Sequence, residues 1–346
     1  MKRREFIKSV GIAGTCSLAG ILTMQGPYGA RVEAIAETGS RREQSPPTDM
    51  GGPFDLALDR SGGILVTDSP RYRWLQIDTV NGRLVSFGKP GSIVGRLNFP
   101  AGIAVGPDNL VHIVDSNNCR VQVFDMDGNV KRVVGSIGSI GGSFATPQGI
   151  CLDGTGKMLV ADTRNHRVQI FSNYELVAVI GDLGDAEDQF RLPTACALSP
   201  EGHVLVLDSK HGTVKVFSED LKFRFSFGAV GSSPGMLNMP QGMDFAPDGT
   251  VWIADTGNHR IQQFSMDGKL ISVVGKNGSG SGEFKNPTGI ACRDEQVYIA
   301  DNGNRRIQIL TKGGFEVLKI RRDTSEPLAS QTRCTGRALA RKRIFS

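Results

Sequence analysis

The groups in this 346-residue chain that could attack a substrate or hold a metal are five histidines, six cysteines and a scatter of carboxylates. The thiols spell no local motif. Cys16, Cys119, Cys151, Cys196, Cys292 and Cys334 include no Cys-x-x-Cys pair. Gly231-Ser232-Ser233-Pro234-Gly235 has the letters of G-x-S-x-G, but a nucleophile elbow joins a strand to a helix, and a proline-bearing connector between β-like runs does not. Asp125-Met126-Asp127-Gly128 opens like a calcium loop, yet no longer loop ending in glutamate follows, so it reads as a hairpin turn. His166 and His259 each sit in an Asn-His-Arg triplet, which points to a repeat that sets their positions.

The repeat is 46 or 47 residues long, and residues 240–275 are its best-formed copy. Four β-like runs, MDFA, TVWIAD, RIQQF and LISVVG, are separated by the turn signals PDG, DTGNH and MDG. The proline that opens the unit recurs as Pro53, Pro100, Pro147, Pro193, Pro240 and Pro287. The aspartate that ends the second run recurs as Asp68, Asp115, Asp162, Asp208, Asp255 and Asp301. Five residues later stands Arg73, Arg120, Arg167, Arg260 or Arg306, with Thr213 in the fourth copy. Six phased copies of a four-strand unit predict an all-β fold, a six-bladed β-propeller of four-stranded antiparallel blades over residues 51–320. Between blades, a Gly-x-x-Gly allows the sharp crossing, and Leu97, Phe144, Phe190, Leu237 or Phe284 is placed to plug the junction. Each copy carries its own fourth strand, so no strand from the far terminus is needed to close the ring.

Antiparallel order puts the opening prolines and the Asp-to-Arg loops on one face, here called the top face, around the mouth of the central channel. The Asp-to-Arg signature reads as scaffold. Asp accepts loop N–H groups, Asn tolerates a left-handed turn, and Arg pairs with a carboxylate in or beside its own blade. Ligand recognition is expected where copies differ. The residue after each proline is Phe54, Ala101, Gln148, Thr194, Gln241 or Thr288. The residue before each arginine, or before Thr213, is Tyr72, Cys119, His166, Gly212, His259 or Arg305. With Arg164, Lys210 and His211 added, the expected ligand-binding set is Tyr72, Gln148, Arg164, His166, Thr194, Lys210, His211, Gln241, His259, Thr288 and Arg305. Such a rim suits a protein, a peptide or a polar small molecule. Cys151, Cys196 and Cys292 fall on innermost strands, where a thiol packs as a small apolar group.

The copies carry P-x-G-I-A-V, then V-x-I-A-D-T-x-N-x-R-V-Q-V-F, then G-x-x-V; Asp162–Phe171 and Asp255–Phe264 are clear examples. Over residues 53–320 the chain resembles the NHL-repeat propellers. The resemblance implies a six-bladed propeller and no single activity, because such propellers bind proteins, peptides or RNA and a minority are enzymes. Related peptide-amidating lyases place zinc-binding histidines at the channel mouth, where none of the six residues after the prolines is His. Gluconolactonase-like propellers use a Glu/Asn/Asp metal cluster. Asp55 and Asp244 lie on inner strands here without a matching set. No catalytic residue, metal or cofactor is therefore expected, although the channel mouth has space for a divalent ion.

Charge is uneven. The formal net charge is +5, of which residues 1–36 carry +3 and residues 321–346 carry +5, so the span between them holds −3. A mildly acidic body disfavours an extended phosphate-tracking surface, and nucleic acid is not an expected partner. Residues 1–36 read as a signal peptide. Arg3-Arg4-Glu5-Phe6-Ile7-Lys8 resembles a twin-arginine export motif before an uncharged Gly- and Ala-rich run, and Ala34-Ile35-Ala36 suits cleavage. Residues 37–50 read as a polar linker and 321–346 as a basic, disordered tail. These features predict a periplasmic or extracellular monomer that meets the membrane only during export. In that compartment a disulfide is permitted but not indicated. The expected role is a non-enzymatic binding or scaffold protein acting through its top face. A metal-assisted lyase or lactonase at the channel mouth is the alternative, and RNA binding a third reading.

Overall fold

The structure, a computed structural model, describes residues 22–25, 31–34, 50–79 and 84–318. The segments read as signal peptide, linker and tail lie outside the described residues, apart from an antiparallel pairing of Leu22–Gln25 with Arg31–Ala34 and from Met50. Six four-stranded antiparallel sheets follow, each built from four consecutive strands. Blade 1 spans 53–87, blade 2 100–134, blade 3 150–180, blade 4 193–227, blade 5 242–274 and blade 6 287–317. The molecule is a six-bladed β-propeller.

Burial peaks on the second strand of each blade and falls toward the outer edge. Every second strand, such as Val251–Asp255, is buried at all five central positions, because a blade covers it on both faces. Outermost strands such as Leu270–Val274 are largely exposed. The core is six clusters, each shared by two adjacent blades. The connector residues Leu97, Phe144, Phe190, Leu237 and Phe284 are fully buried in those junctions. At Gly135, in the left-handed region at φ +83°, a Cβ would sit 2.2 Å from the Phe144 ring. Glycine there lets the crossing chain lie directly on its plug.

The ring closes without strand exchange. Blade 6 meets blade 1 through a cluster that includes Leu56, Val66, Tyr298 and Ile307. Met50, at the end of the stretch read as linker, is buried in the same cluster. The Thr288 hydroxyl and the Asn302 amide both donate to the Pro53 carbonyl, at 3.3 and 3.0 Å.

Candidate functional site

Blade 5 shows how the top face is built. Its second strand ends at Asp255, Thr256–Asn258 make one turn of 3-10 helix, and Arg260 opens the third strand. The strand register pairs Pro53 with Asp68 and Pro100 with Asp115, so prolines and aspartates share one end of the blade. Asp255 is wholly buried. Its carboxylate accepts from the Asn238 N–H (2.7 Å), Asn258 Nδ2 (2.9 Å), Arg260 Nε (2.7 Å) and Gln262 Nε2 (2.9 Å). Arg260 donates onward to the carbonyls of Ser233 and Met236, Gln262 to that of Met236 and Asn258 to that of Gly231. The turn and the preceding connector are thus one hydrogen-bonded body centred on a buried carboxylate.

Two details differ from the sequence reading. The left-handed residue is the one after Asn, not Asn itself: His259 has φ +55°, and Tyr72, Cys119, His166, Gly212 and Arg305 match it. Asn258 stays in the helical turn, where its amide can reach Asp255. The network also contains a glutamine to which the sequence reading gave no role. Gln122, Gln169, Gln262 and Gln308 are all fully buried, two residues after the signature arginine. Their recurrence was a visible signal.

The eleven expected ligand-binding residues separate into two sets. Gln148, Thr194, Gln241 and Thr288 line the channel together with Phe54. Tyr72, Arg164, His166, Lys210, His211, His259 and Arg305 belong to the surrounding turns. Several are already engaged by neighbouring blades. The Thr194 hydroxyl donates to the Pro240 carbonyl at 3.2 Å, and Thr194 and Thr288 are both buried. His166 donates through Nδ1 to the Arg191 carbonyl (2.7 Å), whereas His259 accepts the Asn286 N–H at Nδ1 (3.1 Å). His211 lies between Asp208 (2.6 Å) and Asp185 (2.9 Å). Arg164, Lys210, Tyr72 and Arg305 are exposed, and Gln148 and Gln241 are half-buried.

The channel encloses a cavity of about 240 Å³, walled by the first strands of all six blades. Asp55 and Asp244 both face it. Asp55 accepts the Ile103 N–H at 3.1 Å and Asp244 the Cys292 N–H at 2.7 Å, in each case from the next blade. Burial pushes the Asp55 carboxyl up to about 7, with the charge of Asp244 adding to the rise. Burial likewise pushes Asp244 up to about 6. The lyase and lactonase resemblance would imply a metal at this place, which needs several converging donors. Among the described residues no three His, Cys, Asp or Glu side chains converge there.

A feature absent from the sequence reading lies on the connectors. Ile137 is 81% exposed, Ile140 74%, Ile93 65% and Val230 63%, with Val94 and Leu183 also exposed. These side chains sit on four successive blade junctions, from blade 1 to blade 5. Their backbone is held by the signature network: Arg120 donates to the Ile93 carbonyl and Arg167 to that of Ile140, both at 2.9 Å. These apolar groups are held out on a hydrogen-bonded frame.

Comparison with known proteins agrees with this architecture. Residues 97–124, 144–171 and 237–264 match the NHL repeat family. Each stretch runs from a junction plug to a phenylalanine on a third strand, and so contains one buried carboxylate with the groups that donate to it. The chain thus carries NHL repeats on a six-bladed propeller. The E3 ubiquitin-protein ligases NHLRC1 of Rattus norvegicus and Mus musculus are 32% identical over 84 residues, 24% of this chain and 21% of theirs. The chain therefore spans about a fifth of the curated relatives it matches. Among solved structures, a streptogramin B lyase has a TM-score of 0.57 at 12% identity, covering 80% of this chain and 86% of that one. A gluconolactonase from Xanthomonas campestris has a TM-score of 0.58 at 12% identity, covering 84% and 90%. An auxiliary nutrient binding protein from Bacteroides thetaiotaomicron has a TM-score of 0.58 at 14% identity, covering 77% and 70%. At these identities the likeness shows the fold alone.

Proposed function

We propose that the protein is an exported, non-catalytic binding propeller that docks a protein or peptide partner on its top face. The observation that carries this reading is the run of exposed apolar side chains on the connectors, led by Ile137 and Ile140. Association gains most from desolvating such groups when they are preorganised, and each connector is fixed by several hydrogen bonds. The polar turn residues Arg164 and Lys210 and the mouth residues Gln148 and Gln241 supply a rim that can fix orientation. The NHL resemblance supports protein or peptide binding. The export motif supports a periplasmic or extracellular partner, and the mildly acidic body disfavours nucleic acid.

A photo-crosslinking amino acid at Ile137, with Asp248 on the opposite face as control, tests this in the native host. Crosslinked partner is expected from position 137 and not from 248, and Ile140→Asp is expected to abolish it without altering thermal unfolding. Equal crosslinking at both positions sinks the reading.

A second reading, catalysis at the channel mouth, rests on Asp55, whose raised carboxyl would serve as a proton acceptor near neutral pH. Elemental analysis of the purified mature protein separates the two. Stoichiometric zinc or calcium would favour the enzyme.

A further inference from the structure

Cys151 and Cys196 stand on the first strands of blades 3 and 4, and their Sγ atoms are 3.5 Å apart. They are 45 residues apart in sequence, so no spacing motif announces them. Both belong to the channel wall. The strand register shows what is unusual about Cys196. It pairs with Val206, two residues before the signature aspartate. The matching positions in the other blades are Leu56, Ile103, Ile150, Met243 and Ile290. Blade 4 alone puts a small thiol where five blades put a large apolar side chain. The Cys196 sulfur lies against that of Cys151. Cys119 and Cys292, the other two cysteines among the described residues, have no sulfur at hydrogen-bond distance.

We propose that Cys151 and Cys196 are a modification site: a dithiol that a small disulfide oxidant converts to a disulfide stapling blades 3 and 4 through the channel wall. The Cys151 thiolate attacks one sulfur of the oxidant and expels a thiolate, leaving a mixed disulfide. The Cys196 thiolate then attacks the Cys151 sulfur and expels the second. Two protein thiols lose two electrons and two protons, and one oxidant disulfide becomes two thiols. Disulfide formation closes the sulfurs from 3.5 Å to about 2.05 Å. The site is reached through the channel, which limits it to oxidants of small size. The Cys196 thiol beside it and then burial push the Cys151 thiol well above its usual range. Thiolate is therefore scarce at neutral pH, and the reaction should accelerate about tenfold per pH unit through the mildly alkaline range.

The test uses the full-length native protein, free of reductant, with hydroxyethyl disulfide as oxidant. Remaining thiols are then alkylated under denaturing conditions and the digest is mapped by mass without reduction. The expected result is one Cys151–Cys196 linked peptide pair, lighter by two hydrogens, with Cys119 and Cys292 alkylated. In Cys196→Ser the reaction should stop at the mixed disulfide on Cys151. Recovery of both Cys151 and Cys196 fully alkylated after prolonged exposure would overturn the proposal. So would links from Cys151 to Cys119 or Cys292 at equal yield. The wild-type map decides the matter even if the variant folds poorly.

Discussion

Blades 3 and 4 are neighbours with the same backbone and different chemistry. In blade 3 the buried Asp162 accepts from the Ala145 N–H (2.7 Å), Asn165 (2.8 Å), Arg167 (2.8 Å) and Gln169 (3.0 Å). In blade 4 the equivalent Asp208 accepts from the N–H groups of Arg191 and Leu192 (2.9 and 3.0 Å) and from His211 (2.6 Å). Thr213 replaces the arginine, and its hydroxyl is buried without a partner among the described residues. Lys215 replaces the glutamine and, though buried, donates to the carbonyls of Ala186 and Gln189. The connector is tethered to the turn in both blades. Different residues supply that tether in the two blades. The repeat arginine is thus one means of holding the connector, and blade 4 holds its connector without it.

The largest effect that would break this comparison is the loss of the central carboxylate. Asp162→Ala leaves the Arg167 charge without its carboxylate and takes one acceptor each from Asn165, Gln169 and the Ala145 N–H, and should cost about 3–5 kcal/mol. Asp208→Ala takes the acceptor from two backbone N–H groups and leaves His211 with Asp185 alone, and should cost about 1–3 kcal/mol. Urea unfolding of the two variants measures the gap, and equal losses would contradict the account.

Next comes the first strand. Gly149 in blade 3 faces Ala195 in blade 4, and a Cβ on Gly149 would lie 2.5 Å from the Thr194 carbonyl oxygen and 2.7 Å from the Ala195 Cα. Gly149→Ala must push two backbones apart and should cost about 1–3 kcal/mol, read as a lowered Tm. Ala195→Gly should cost only about 0.5–1 kcal/mol, the entropy of the freed backbone.

Blade 1 extends the series, since its residue at that position is Asp55. Its folded-state value of about 7 lies above the ordinary 3.8. The folded protein therefore keeps a proton that the unfolded chain releases. The stability this contributes is fully present below pH 4 and is lost as pH rises through about 7. Asp55→Asn should flatten that slope between pH 4 and 7 by on the order of 1 kcal/mol, discounted because the channel admits water. An unchanged slope in pH-dependent thermal unfolding would place the carboxyl outside the folding equilibrium.

The smallest effect sharpens the comparison most. His211→Asn with Lys215→Gln gives blade 4 two members of blade 3's set. The double variant should stay within about 1 kcal/mol of wild type, whereas a large loss would mean that the charged version does something the neutral one cannot.

The phase of Pro53 to Pro287 and of Asp68 to Asp301 determined six blades, their strand order and the face on which prolines and turns meet. Those follow from local alternation and turn chemistry, and local patterning is written directly in a chain. The buried glutamines were legible too, as a recurring letter whose role only needed a partner. The sequence could not say which polar atoms remain available. Thr194, Thr288, His166 and His259 differ between copies, as ligand-binding residues should, yet each has a polar atom engaged by the next blade. Those bonds join residues from about 25 to more than 200 positions apart, and no local pattern encodes them. The same holds for the exposed Ile137 and Ile140, which read as ordinary connector residues, and for Cys151 beside Cys196. Repetition sets where a residue falls within its blade. Closure of the ring decides what it touches in the next one, and with that which groups are left to meet a partner.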